Sequence, residues 1–133
     1  MKKLRLHTAA VLLFTAATFI SCSNDDDNNS TTSKTEFVTQ VTGPATGAKN
    51  QELSFDVTYA VAGDCGTFEK TVETTTGNTK TIEVKVKYDK TKVCTQPTTQ
   101  NFVYKFKATA AGTYILKFKK TATEFITQTI VVN

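Results

Sequence analysis

The sequence predicts an all-β domain over residues 36–133, built as an antiparallel two-sheet sandwich of about seven strands. Three observations carry this. Apolar and polar residues alternate with a period of two through most of the range. Glycine, proline and asparagine interrupt the alternation at short intervals, as turns between strands do. Threonine, a residue that favours strands, is abundant, and no stretch repeats with the helical period.

Phe37, Thr39 and Val41 share one face of the first expected strand, which Gly43-Pro44 ends. The clearest strand follows. Leu53, Phe55, Val57, Tyr59 and Val61 face inward, and Glu52, Ser54, Asp56, Thr58 and Ala60 face outward. Gly63 and Gly66 bracket Asp64-Cys65 as a turn. Residues 67–75 and 79–89 read as a hairpin about Thr76-Gly77-Asn78. On its first arm Phe68 and Val72 are expected inside and Glu69 and Glu73 outside. On its return Ile82, Val84, Val86 and Tyr88 point in, with Glu83, Lys85, Lys87 and Asp89 out. Glutamate opposite lysine on such a ladder is mildly favourable. After the loop Thr95-Gln96-Pro97-Thr98-Thr99 come inward faces of Phe102, Tyr104, Phe106 and Ala108, then Tyr114, Leu116 and Phe118, then Ile126, Gln128, Ile130 and Val132.

The step Ala111-Gly112-Thr113-Tyr114 resembles the entry to strand F of immunoglobulin-type domains, with Tyr114 as the tyrosine corner. The resemblance implies an Ig-like sandwich. The inter-sheet cysteine pair and the core tryptophan of antibody domains are missing, so it does not extend to the antibody family.

The N-terminal segment has a different character. Lys2, Lys3 and Arg5 precede an apolar run from Ala9 to Ile20, broken only by Thr15 and Thr18. This is the pattern of a secretory signal peptide. Such a run, as a helix, rises about 18 Å, short of the ~30 Å hydrocarbon core of a bilayer, which disfavours a transmembrane helix. Phe19-Ile20-Ser21-Cys22 resembles a bacterial lipobox, with a small residue before the cysteine and phenylalanine where leucine is usual. The resemblance implies cleavage before Cys22, removal of residues 1–21 and lipid attachment at Cys22. An ordinary signal peptide with a nearby cysteine is the alternative.

Ser23 and the acidic cluster Asp25-Asp26-Asp27 resemble the surface-export signals of Bacteroidota (flavobacterium-like) lipoproteins. That implies an outer-membrane, lipid-anchored protein displayed at the cell surface, with the periplasmic face as the alternative. Three adjacent carboxylates lack the spacing and turn glycine of a calcium loop. Residues 22–35, the lipidated cysteine and a stretch with no apolar side chain, are expected to form a disordered polar linker.

If Cys22 carries lipid, Cys65 and Cys94 remain as an even pair in an oxidising compartment and are expected to form a disulfide. If the hairpin turns near residue 77, the bond would close its mouth. Two buried thiols are the alternative.

Composition narrows the chemistry. Of the 16 basic residues, Lys2, Lys3 and Arg5 lie in the expected signal, so the remainder nearly balance the 12 acids and nothing points to nucleic acid. The only histidine is His7 and the only arginine Arg5, both in that segment, and there is no tryptophan. The commonest general base and metal ligand is therefore missing downstream. Ser23, Ser30 and Ser33 fall in the linker and Ser54 faces outward, with no histidine to activate them. Glu69, Glu73 and Glu83 read as a solvated, lysine-balanced face rather than a glycosidase pair. Lys105, Lys107, Lys117, Lys119 and Lys120 read as an outward lysine stripe. It would suit acidic glycans or phospholipid headgroups, or simply keep the face soluble, and a sandwich would divide it between two sheets.

The expectation is a monomeric, non-catalytic binding or structural module without cofactor or metal. The membrane is its partner through the lipid anchor, and an unnamed protein or glycan is its possible ligand. The alternative is an accessory carbohydrate- or polymer-binding subunit of an envelope uptake system, which exposed aromatic residues would favour.

Overall fold

The computed structural model describes residues 30–133. Among them are nine strands and no helix: β1 (Thr31–Glu36), β2 (Val38–Thr42), β3 (Thr46–Gly47), β4 (Glu52–Val61), β5 (Gly66–Thr76), β6 (Thr79–Asp89), β7 (Thr98–Lys107), β8 (Gly112–Lys119) and β9 (Phe125–Val132). They form two sheets. The larger runs β1-β6-β8-β9-β3, with β5 also paired to β6; the smaller runs β2-β4-β7.

The period-two faces of β4, β6, β7, β8 and β9 meet between the sheets. Phe55, Tyr59, Ile82, Leu116, Phe118 and Ile130 are fully buried there. No described polar or charged residue is buried, and no buried side-chain polar atom lacks a partner. The core is thus held by apolar burial, and no charge is buried within it. Glu83 on β6 pairs with Lys119 on β8 at 2.7 Å, and Glu52 on β4 with Lys105 on β7. The lysine stripe is accordingly divided. Lys105 and Lys107 belong to the smaller sheet, Lys117 and Lys119 to the larger, and Lys117 lies over the Phe125 ring.

The sandwich holds as expected, with differences that each have a cause. Two strands are additional. β1 takes Thr31–Thr35 out of the expected linker and pairs them antiparallel with Asp89–Lys85 of β6, so the folded domain starts before residue 36. β1 has only polar side chains apart from aliphatic stems; its backbone completes a ladder edge that β8 leaves open. β8 pairs with Thr79–Ile82 of β6 and β1 with Val84–Asp89, end to end along one edge. The other addition, the two-residue β3, pairs with the end of β9. Both β6–β8 and β3–β9 are parallel, so the sheet is not wholly antiparallel.

Two registers shift. In β2 a bulge between Val38 and Gln40 buries Val38 and Val41, leaving Phe37 and Thr39 exposed. A spacing of three between inward residues needs one extra residue, which a bulge supplies. In β5 the ladder slips between Phe68 and Lys70. Phe68 lies opposite Val86, but Val72 now lies opposite Glu83 and Glu73 opposite Ile82. Val72 therefore takes the outer face and Glu73 the inner, the reverse of the expectation.

Candidate functional site

β5 and β7 border the same open side of the sandwich. Among the described residues β5 pairs only with β6, and β7 only with β4. Strands lie about 4.8 Å apart, so the three strands of the smaller sheet span roughly 10 Å and cannot cover the five abreast in the larger one. β5 is the strand left overhanging, and nearly all of it is exposed.

A ring stack bridges the gap from β5 to β7. The rings of Phe68 and Phe102 stack with centroids 4.7 Å apart, and Tyr59 meets Phe102 edge-on at 5.9 Å. Further along, Tyr104 on β7 and Glu73 on β5 both line the gap. Burial, then the charge of the Glu73 carboxylate, push the Tyr104 phenol above its ordinary range. Glu73 accepts from Lys80 Nζ at 2.7 Å, so its charge is compensated. Between and beside these contacts lies a shallow cleft of about 300 Å³, lined by Phe68, Thr71, Glu73, Phe102, Val103 and Lys105 together with Tyr104. That volume is at the small end for a ligand site.

The cleft combines an apolar aromatic wall, Phe68 being 42% exposed, with one carboxylate, one ammonium and two hydroxyls, those of Thr71 and Tyr104. It can take an apolar or ring-shaped group with hydroxyls at its rim. Within it Glu73 is ion-paired with Lys80, and no group of three or more metal-ligating side chains occurs among the described residues.

A second cluster anchors the end of the sandwich where the chain enters. Tyr59 donates to Gln100 Oε1 at 2.8 Å, and Gln100 Nε2 donates to the Gly66 carbonyl at 2.7 Å. The Tyr88 hydroxyl donates to Glu36 Oε1 at 2.6 Å and accepts from the Ala62 amide at 3.0 Å. Burial and the Glu36 bond push Tyr88 up to about 12. At this end Cys65 and Cys94 are disulfide-bonded, with Cα atoms 5.5 Å apart. Gly66 pairs with Tyr88, so Cys65 sits at the hairpin's mouth, and the bond ties the following loop to it as the spacing predicted. Gly63 is required here by close approach: a Cβ on it would lie 2.2 Å from Cβ of Cys94.

Of the other residues singled out in the sequence, Tyr114 donates to the Ala110 carbonyl at 3.0 Å, the upstream bond of a tyrosine corner. Ser33, placed in the linker, lies on β1 and donates to Glu69 on an exposed face. Cys22, the acidic cluster and the expected signal lie outside the described residues. Sequence reasoning missed Glu73 as a residue of the cleft. The available signal was Lys70: if Phe68 and Val72 both faced inward, Lys70 between them would too, which a core strand does not tolerate.

The fold and the cleft define a β-sandwich domain with one side open between two strand edges. The chain belongs to the family described as the ORF11 beta-sandwich domain, whose model matches residues 55–130, more than half of its length. The matched part includes the cleft strands β5 and β7 and both bonded cysteines. No curated protein and no solved structure matches the chain.

Proposed function

We propose that this protein is a lipid-anchored, non-catalytic module of the bacterial outer membrane, displayed at the cell surface, that binds a ligand at the open side between β5 and β7. The lipobox-like Phe19-Ile20-Ser21-Cys22 supports the anchor, and Asp25-Asp26-Asp27 supports display. The observation that carries the binding role is the solvent-accessible Phe68–Phe102 stack beside Glu73 and Lys105, between strand edges paired on one side only. An aromatic pair left in water at a concave position costs burial free energy that a ligand would restore.

The exposure of Phe68 also favours the more specific reading of an accessory carbohydrate- or polymer-binding subunit, because a sugar ring would stack on its free face between the carboxylate and ammonium groups. Titration of the isotope-labelled protein with neutral and acidic polysaccharide fragments, followed by amide chemical shifts, tests both readings. Shifts confined to β5 and β7 and abolished by Phe68→Ala are expected for glycan binding. Silence with every glycan but the same localised shifts with extended peptides would move the ligand to protein. Silence with both leaves no support for binding at the cleft.

A further inference from the structure

The end of the sandwich opposite the Gly77 turn presents an apolar point, Val93, just after two lysines, Lys90 and Lys92. Val93 is 86% exposed, the most exposed large hydrophobic residue described. It lies in the loop Lys90-Thr91-Lys92-Val93-Cys94, between β6 and β7. Neither Lys90 nor Lys92 enters any of the ion pairs found among the described residues. The loop is fixed in place. Cys94 is bonded to Cys65, and the Asp89 carboxylate accepts from the Thr91 amide at 2.9 Å and from its hydroxyl at 2.6 Å. The acids of this end are occupied: Asp89 by Thr91 with Lys92 nearby, and Asp64 by the Thr95 amide.

The chain enters the domain at this same loop. The Lys90 amide donates to the Ser30 carbonyl at 2.6 Å, and Thr31 pairs with Asp89. Because β1 absorbs residues from Thr31 onward, the span from Cys22 to Ser30 can reach at most about 28 Å. The other end of the sandwich, with Gly77 and Asn133, lies along β6 some ~35 Å further off. The loop holding Val93 thus lies beside Ser30 and Thr31, the first described residues after Cys22.

We infer that the Lys90–Cys94 loop rests on the anionic phospholipid headgroups of the membrane that holds the lipid, with Val93 entering the interface and Lys90 and Lys92 meeting phosphates. This rests on the lipid anchor proposed above. A single exposed valine is ordinary on a protein surface. Its coincidence with two lysines outside the ion pairs, a covalent staple and the tether's point of entry is the pattern of an interfacial contact, in which lysine stems lie along apolar surface while their ammonium groups stay with the headgroups. The contact seats the domain on this end and turns the β5–β7 cleft sideways, accessible from the medium.

The chain has no tryptophan, so Val93→Trp supplies a single fluorescent reporter at an exposed site. The lipid-modified protein, purified from membranes, would be reconstituted into vesicles of phosphatidylglycerol and phosphatidylethanolamine, with Val103→Trp on β7 as the comparison. The expected result is a blue shift of V93W and its quenching by lipids brominated near the headgroup. V103W should stay unshifted, and V93W should lose the shift when Lys90→Gln and Lys92→Gln are added. Protein that floats with the vesicles while V93W keeps its aqueous emission overturns the inference and leaves the anchor standing. Equal quenching of V93W and V103W overturns it too. Protein that carries no lipid and does not float overturns both.

Discussion

Tyr104 and Glu73 line the same cleft on the side of the sandwich where neither sheet covers the other, and burial, then the Glu73 charge, raises the Tyr104 phenol. One is on β7 of the smaller sheet, the other on β5 of the larger. Tyr104→Phe removes the phenol beside Glu73 and leaves the Glu73–Lys80 ion pair in place. The expected loss in urea unfolding is about 0.5–1.5 kcal/mol, the net range for an ordinary polar contact. Sign and pH follow from the shift. The folded phenol titrates above its ordinary value of about 10, so folding favours the neutral form. That contribution is complete below pH 10 and fades as pH rises above it. The stability of Tyr104→Phe should fall less steeply with pH in this alkaline range than that of the wild type.

Glu73 reaches the cleft only because β5 slips by one residue after Phe68, which turns Val72 outward. Val72→Thr tests this register. On the outer face the change should cost less than about 0.5 kcal/mol, as for other surface substitutions. A loss above ~1 kcal/mol would place Val72 in the core and Glu73 in solvent.

That slip marks the limit of what the sequence made legible. The faces of β4, β6 and β8 were readable because their large apolar residues occupy every second position, with Ile115 of β8 the one large residue out of step. β5 and β2 were misread because a bulge inserts one residue without changing composition, and only the conflict at Lys70, or the spacing of Val38 and Val41, records it. β1 was invisible for a different reason. Thr31–Thr35 carry no pattern of their own; they are a strand because β8 ends and leaves part of β6 unpaired. The disulfide could be anticipated because the hairpin turn fixes which residues face each other, and the turn was legible in Gly77, whose φ of 58° suits glycine. The cleft was not, because it arises from unequal sheet widths, a property of the assembled layers.

The Cys65–Cys94 bond closes the mouth of the β5–β6 hairpin with a sequence separation of 29 residues. Replacing both cysteines by serine should lower the unfolding free energy by about 2–4 kcal/mol, mostly through the freer unfolded chain. Urea midpoints of the double variant and the oxidised wild type check this. Reduced wild type should match the variant. Because the bond also fixes the loop bearing Val93, proteolysis of intact folded protein should cut first near residues 90–94 in the variant.

The account as a whole depends on Cys22 carrying the lipid that brings this β-sandwich to the membrane. Metabolic labelling with an alkyne fatty acid, in cells making the wild type or Cys22→Ala, measures it directly. The account predicts label on the wild type, none on the variant, and release of the wild-type domain by protease added to intact cells. Label that persists on Cys22→Ala, or a wild type that takes up none, would contradict it.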